Sequence, residues 1–95
     1  MKYEWGDAKK LSNLEKHGVD FCDAVYFNWQ HALIIEDARN DYAEDRFNAF
    51  APINNRLYAM TYTLRDDVIR VISLRKANKR EVNYYVSNFQ NLNAN

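Results

Sequence analysis

The sequence predicts an α+β fold, in which an antiparallel β-meander sheet packs with two N-terminal helices and one C-terminal helix. Three observations predict it. Apolar residues recur at helical spacing near both ends of the chain, whereas through the middle they alternate or run together, as strands require. The candidate turns between these strands are short, and short connections join antiparallel neighbours. The 95 residues, 47% of them apolar, suit one compact domain that spans residues 1–95.

Two short helices are predicted in the N-terminal third. The first covers about residues 8–17, with Asp7 as its N-cap and Gly18 as the left-handed residue that commonly ends a helix. Its apolar residues recur at helical spacing: Ala8, Leu11 and Leu14. Asp20 and Asp23 form a capping arrangement for the second helix. The buried side of that helix is expected to hold Phe21, Ala24, Val25 and Phe27.

Four strands and a last helix follow. The strands are predicted over residues 31–36, 47–53, 58–62 and 68–74. Residues 37–45 are polar and predict an exposed loop, while Asn54-Asn55 and residues 65–67 are turn signals. Asn78 and Glu81 have capping-box spacing and predict the start of the C-terminal helix. The apolar stripe of this helix consists of Val82, Tyr85, Val86 and Phe89.

Residues 65–81 join a strand-like apolar run to a series of basic side chains. These are Arg65, Arg70, Arg75, Lys76, Lys79 and Arg80. Arginine presents a planar fork of donors that matches two phosphate oxygens, so several arginines on a rigid strand indicate a preformed polyanion site. The alternative is ordinary surface charge, which needs no ligand.

The charge is unevenly distributed along the chain, although the net charge is zero. Residues 20–55 hold two basic and seven acidic side chains, whereas residues 56–95 hold seven basic and three acidic ones. Zero net charge argues against a general nucleic-acid binder, but this asymmetry allows one face to hold RNA or DNA. The acidic stretch 36–45 either docks a basic partner or keeps the protein soluble, and solubility alone is enough to explain it.

Several classes of protein are disfavoured. The lone Cys22 cannot form an intrachain disulfide, and the N-terminal residues do not resemble a signal peptide, so a reducing, cytoplasmic setting is expected. No apolar run approaches the roughly 18 residues of a membrane span, so no membrane partner is expected. The two histidines and the cysteine lack metal-ligand spacing. We therefore expect neither a metal ion nor another cofactor.

Lys16 and His17 close the first predicted helix and form a second chemical candidate. A free imidazole titrates near pH 6.5, so His17 can take or give a proton close to neutral pH. The alternative is structural, because the helix dipole favours cationic side chains in the last turn by about 0.3–1 kcal/mol. His31 opens an apolar strand and is predicted to be structural.

Two blocks of sequence occur in order and carry a resemblance to a known family. They are Lys16-His17-Gly18-Val19 and Ile69-Arg70-Val71-Ile72-Ser73-Leu74-Arg75-Lys76-Ala77. The flanking segments Trp5-Gly6-Asp7-Ala8-Lys9, Glu44-Asp45-Arg46-Phe47 and Arg80-Glu81 add to them. From about Tyr3 to Tyr85, the chain resembles the BrnT toxins of bacterial type II toxin–antitoxin pairs. It departs from them at Gly6-Asp7, where the family usually has Asp-Pro, and at Leu74, where Ala is frequent.

The resemblance implies a RelE-like ribonuclease that cleaves RNA and so arrests growth. It also implies a BrnA-like antitoxin with a ribbon-helix-helix domain, which neutralises the toxin and alone brings the complex to operator DNA. Lys16 and His17 are carried over from the Lys-His-Gly motif, and Arg70 and Arg75 from the strand motif. Arg65, in the turn before that strand, is added on its charge.

The chemistry of metal-independent RNA cleavage assigns these residues their expected roles. The reaction needs a base for the 2′-hydroxyl, cations for the phosphorane and an acid for the leaving 5′-oxygen. The expected catalytic residues are His17 as base or acid, with Lys16, Arg65 and Arg75 holding charge. The expected RNA-binding residues are Arg70, Lys76, Lys79 and Arg80. In a regular strand Arg70 and Arg75 face opposite sides, so they share a face only if a bulge or strand end lies near Ser73.

A function of a different class stays open. The chain could be a non-catalytic binding module that only engages an antitoxin or nucleic acid. The combination of His17 with the arginines favours the ribonuclease, because a pure binder has no need of a titrating group.

Overall fold

The computed structural model describes residues 1–37 and 44–93, with side chains up to Phe89. Its strands are β1 (Lys2–Glu4), β2 (Leu33–Asp37), β3 (Arg46–Ile53), β4 (Arg56–Arg65) and β5 (Val68–Lys76). Its α-helices are α1 (Asp7–His17) and α2 (Lys79–Asn93). Two 3₁₀ helices lie between α1 and β2, at Phe21–Tyr26 and Trp29–His31. The predicted α+β class is confirmed.

The sheet is mixed, with the strand order β1-β5-β4-β3-β2. Strands β2 to β5 form the predicted antiparallel meander. β1 pairs with β5 in parallel, with Tyr3 opposite Ile69, so the prediction of a wholly antiparallel sheet is wrong. A strand of three residues contains too little alternation to be recognised in the sequence. Its pairing depends on the edge of β5 and on the packing of Tyr3 against the core.

The predicted second N-terminal helix is a 3₁₀ helix, and this changes which of its side chains are buried. A 3₁₀ helix has three residues per turn, so positions i, i+3 and i+6 align. Phe21, Ala24 and Phe27 follow that period and are buried, whereas Val25 is 62% exposed. The prediction that Val25 is buried assumes an α-helical period and is wrong. The cap is confirmed, since Asp20 accepts a hydrogen bond from the backbone N–H of Cys22 at 2.8 Å.

The first helix is confirmed, but its leucines are not its buried residues. Its N-cap is Gly6, one residue before the predicted cap, and Gly18 ends it with φ 67° in the left-handed region. Leu11 and Leu14 are 59% and 43% exposed. The buried residue of α1 is Asn13, so a polar stripe of this helix faces the sheet.

The turn signals are confirmed at both later hairpins. Asn54, between β3 and β4, has φ 55°. Asp66 and Asp67, between β4 and β5, have φ 49° and 68°. Two consecutive left-handed residues make the type I′ turn, whose twist matches that of the flanking strands.

The predicted strand 31–36 and the loop after it shift along the chain. The strand starts at Leu33, because residues 29–31 form the second 3₁₀ helix. Asp37 is the last residue of β2 and is buried, so it does not belong to an exposed loop. Residues 38–43 of the predicted loop lie outside the described residues.

The hydrophobic core lies on one face of the sheet, beneath the first 3₁₀ helix. Its buried members are Val19, Phe21, Ala24, Phe27, Ala49, Ala51, Ile53, Met60, Tyr62, Ile69, Val71 and Leu74. Strand positions between these residues point to the opposite face, which we call the second face. On the second face Arg75, which alternates with core residue Leu74, pairs with Glu81 of α2.

Asn13 fastens α1 to the edge of β5. Its Nδ2 donates to the carbonyl oxygens of Leu74 at 2.6 Å and Val19 at 3.0 Å, and its Oδ1 accepts the N–H of Leu74 at 3.2 Å. β1 pairs with β5 at residues 68–70, so it does not reach Leu74. The carboxamide of Asn13 therefore takes the place of a peptide group on the strand edge.

We expect Asn13→Ala to lower the free energy of unfolding by about 2–4 kcal/mol, because it leaves buried backbone groups of Leu74 unpaired. Urea unfolding measures this loss. Asn83→Ala, at an exposed position of α2, is the matched control and should change stability little. Equal losses in the two variants would contradict the bridging role of Asn13.

Candidate functional site

A cleft of about 180 Å³ lies between α1 and β5. Its lining residues are Lys9, Ser12, Asn13, Lys16 and His17 of α1 with Ile72 and Ser73 of β5. The two elements are distant in sequence and meet here because Asn13 binds Leu74. In the cleft, the predicted pair Lys16-His17 lies next to the predicted basic strand, β5.

The helix supplies the cations of the cleft through its periodicity. Lys9, Ser12 and Lys16 are spaced i, i+3 and i+7, so they lie along one side of α1, next to Asn13. Lys9, Lys16 and His17 are exposed, so their polar ends remain accessible to a solute. Lys16 and His17 also lie in the last turn, where the helix dipole favours positive charge. Helix stability and anion binding therefore favour the same residue types here.

A β-bulge forms the opposite wall of the cleft. Tyr62 of β4 pairs with Val71, whereas the preceding Thr61 pairs with Ser73, so Ile72 is an extra residue in β5. Such an insertion re-aims the side chains beside it, and both Ile72 and Ser73 line the cleft. The bulge also reverses the alternation of β5, since Val71 and Leu74 both lie in the core.

This reversal places Arg70 and Arg75 on the same face of the sheet. Arg70 alternates with core residue Val71 before the bulge, and Arg75 alternates with Leu74 after it. Ser73 shares that second face and lies two residues from Arg75, roughly 7 Å along the strand. Ser73, which lines the cleft with His17, thus shares its face of β5 with Arg75.

Arg75 itself is held by an ion pair rather than lining the cleft. Its two terminal nitrogens donate to the two carboxylate oxygens of Glu81, each at 2.8 Å. Glu81 also accepts the N–H of Asn78 at 2.9 Å, and Asn78 Oδ1 accepts the N–H of Glu81 at 2.9 Å, which confirms the capping box. The hydrogen bonds from Arg75 lower the pKa of Glu81, and those same bonds raise the pKa of Arg75.

The other two predicted arginines, Arg70 and Arg65, each lie near a carboxylate and do not line the cleft. Arg70 is half-buried, 3.7 Å from the carboxylate of Glu4, and its guanidinium lies near Gly6 at the start of α1. Arg65 pairs with Glu44 at 3.5 Å at the far end of β4. It lies opposite Val68, roughly 15 Å along β5 from Ser73. The structure therefore does not bring Arg65 into the cleft.

The remaining predicted RNA-binding residues lie where β5 passes into α2. Lys76 is the last residue of β5, and Lys79 and Arg80 begin α2, all three exposed. Basic side chains at a helix N-terminus oppose the helix dipole. Helix stability therefore does not account for Lys79 and Arg80.

Five residues of the cleft are not among the site residues predicted from the sequence: Lys9, Ser12, Asn13, Ile72 and Ser73. The spacing of Lys9, Ser12, Asn13 and Lys16 indicates a polar side of the helix. The leucines of the same helix also recur at helical spacing and indicate a different buried side. The position of the bulge was not readable, because it depends on pairing between β4 and β5. Within the described residues, no group of three or more His, Cys, Asp or Glu side chains could hold a metal ion.

Comparison with known proteins gives one family. The family model described as "Ribonuclease toxin, BrnT, of type II toxin-antitoxin system" matches residues 5–81. This range contains every residue of the cleft and ends at Glu81, the partner of Arg75. No curated protein matches the chain. In the part of the chain that the structure describes, no helix is both long and apolar enough to cross a membrane.

Replacing Glu81 by Gln isolates the charge of the ion pair, because Gln can still accept the capping hydrogen bond. We expect Glu81→Gln to lower the free energy of unfolding by about 0.5–1 kcal/mol at pH 7. Because the pKa of Glu81 is lowered in the folded protein, its carboxylate contributes fully to the free energy of unfolding when the pH is above the ordinary pKa of 4.5. This contribution is lost as the pH falls through the lowered pKa.

Urea unfolding at pH 7 and pH 3 tests this ion pair. The difference between wild type and Glu81→Gln should shrink at pH 3. Glu15→Gln, at an exposed position of α1, controls for loss of a surface carboxylate. A difference of the same size at both pH values would contradict the ion-pair assignment.

Proposed function

The chain belongs to the BrnT family of ribonuclease toxins of type II toxin–antitoxin systems, and we propose that it acts as an endoribonuclease that cleaves RNA without a metal ion. The observation that carries this proposal is the cleft, where His17 lies with Lys9 and Lys16 against the bulge of β5. It combines one imidazole with the side chains of two lysines.

The proposed reaction is attack of a ribose 2′-hydroxyl on the adjacent phosphorus. The 2′-oxygen loses a proton as its bond to phosphorus forms, and the 5′-oxygen gains a proton as its bond to phosphorus breaks. The products are a 2′,3′-cyclic phosphate and a free 5′-hydroxyl. His17 takes the first proton or supplies the second, and general acid–base catalysis of this kind contributes about 10²–10⁴-fold.

The lysines supply charge stabilisation in this proposal. The phosphorane carries two negative charges, and preformed cations at that position lower the barrier most. Lys16 and Lys9 line the cleft and take this role. Arg65 and Arg75, for which the sequence predicts the same role, pair instead with Glu44 and Glu81. Arg70 and the exposed Lys76, Lys79 and Arg80 would bind more distant phosphates of the same strand.

The proposed partner is the antitoxin that a type II system requires. We propose a BrnA-like ribbon-helix-helix protein, through which the complex would reach operator DNA. An adjacent gene for such a protein, whose product binds this chain after co-expression, is the expected finding. A neighbouring antitoxin of another fold would contradict this assignment.

A non-catalytic binding module is the second candidate, and one observation favours it. Both terminal nitrogens of Arg75 are engaged by Glu81, so this arginine is not free to hold a phosphorane in the structure. In this case the basic surface would bind RNA or an antitoxin without cutting.

Incubating the purified protein with a labelled RNA in EDTA separates the two candidates. We expect cleavage by the wild type and a decrease in rate of about 10²–10⁴-fold in His17→Ala. His31→Ala is the matched control, because His31 does not line the cleft, and it should retain activity. Intact RNA with the wild type, or equal rates for His17→Ala and wild type, would leave the binding module as the better description.

A further inference from the structure

A row of polar side chains extends from the cleft across the second face of the sheet. Asn48 of β3 lies opposite Thr61 of β4, and Thr61 lies opposite Ser73 of β5. Residues paired across neighbouring strands point to the same face, so these three side chains are adjacent. Ser73 also lines the cleft that contains His17. We call the three residues the polar strip.

The polar strip lies on the side of the sheet away from the core. Met60 and Tyr62, on either side of Thr61 in β4, are both buried in the core. Asn48, Thr61 and Ser73 are all partly exposed. Three neighbouring strands separate its ends by about 10 Å, since strands lie about 4.8 Å apart.

One hydrogen bond orients the strip. The hydroxyl of Thr61 donates to Oδ1 of Asn48 at 2.8 Å. This uses the carbonyl side of the Asn48 carboxamide and turns its Nδ2, which carries two N–H groups, away from Thr61. The strip then offers an amide donor together with the hydroxyl of Ser73.

The rows on either side bound the strip with different chemistry. Towards α2, Phe50 lies opposite Ala59, and both are buried. Towards the turn between β4 and β5, Thr63 lies opposite Arg70. Arg75 lies opposite Ala59 in the row towards α2. Each row beside the strip thus contains an arginine, and only the row towards α2 also contains a buried aromatic side chain.

We propose that the polar strip is a nucleobase-binding subsite, which gives RNA cleavage a base preference. This inference rests on the proposed ribonuclease function. Single-stranded RNA presents unstacked bases whose edges proteins read with short polar side chains. A base attached to the ribose in the cleft can reach Ser73 first and then the rest of the strip. Its Asn48 amide donates, so it selects guanine and uracil, which present the carbonyl oxygens O6 and O4 where adenine and cytosine present an amino group.

The alternative is that the strip is only the solvated face of an antiparallel sheet, which is common. Two features argue against it. The strip lies on the three central strands β3, β4 and β5 rather than at the sheet edge. It is also continuous with the cleft through Ser73. If the strip is a base-binding subsite, substitution of Asn48 or Thr61 changes which base is preferred at the cleavage site. If the strip is only a solvated sheet face, these substitutions leave the base preference unchanged.

Asn48→Asp and Thr61→Val test the subsite. Asn48→Asp replaces the amide donor by an acceptor of the same shape, and Thr61→Val removes the hydroxyl that orients it. We expect wild type to prefer guanine or uracil over adenine at the cleavage site by about tenfold, in sequenced cleavage products of a mixed RNA. Thr61→Val should reduce this preference, and Asn48→Asp should shift it towards adenine or cytosine. Asn83→Asp, at an exposed position of α2, is the matched control and should preserve the preference.

Binding of short 2′-O-methyl RNA oligomers, measured by fluorescence anisotropy, separates this proposal from the ribonuclease function. These probes lack the attacking hydroxyl and cannot be cut by the proposed reaction. Base-selective binding that changes in Asn48→Asp, without cleavage of normal RNA, would support the strip and overturn the nuclease. Cleavage whose base preference is absent, or unchanged in both variants, would overturn the strip and leave the nuclease standing. Neither binding nor cleavage would overturn both. Urea unfolding of each variant shows that it is folded, and the milder Thr61→Val still decides if Asn48→Asp does not fold.

Discussion

The hydrogen bonds between Asn13 and Leu74 determine how the two halves of the cleft meet. Residues 61 positions apart are joined by a donor at 2.6 Å and an acceptor at 3.2 Å, both buried. A strand edge presents N–H and C=O groups that must be satisfied when water is excluded. The carboxamide side chain has one of each, so it completes β5 where β1 ends. The helix is thereby held with its polar side against the sheet, and Lys9, Lys16 and His17 lie beside Ser73.

The bulge in β5 is the second constraint on the site. If β5 alternated regularly through Ile72, without the bulge, Arg70 and Arg75 would lie five positions apart and therefore on opposite faces. With it, both arginines and Ser73 lie on the second face, while Val71 and Leu74 still fill the core. β5 places apolar side chains in the core on both sides of the bulge. The bulge can therefore change the positions of the polar side chains on the second face with little loss of core packing.

Sequence and structure agree best where the determinants are local. Gly18, the Asn78–Glu81 capping box and the Asp66-Asp67 turn are confirmed in their expected conformations. Each depends on backbone conformation within a few residues. The errors at Val25 and β1 have a different origin. Val25 is expected on the buried side of an α-helix, but a 3₁₀ helix has a shorter repeat. β1 is too short to show strand alternation. Both features are therefore recognised only in the folded structure.

The sequence by itself determined the family, the α+β class, the helix and turn ends, and the choice of Lys16, His17 and the basic strand as chemical groups. These follow from residue types and from spacing along the chain. Only the tertiary structure decided which of those groups come together. It brought Lys9, Ser12 and Ser73 to His17, kept Arg65 at the far end of β4, and bound Arg75 to Glu81. The physical reason is that a pairing register and a side-chain bridge across 61 positions depend on contacts between distant segments, which no local pattern encodes.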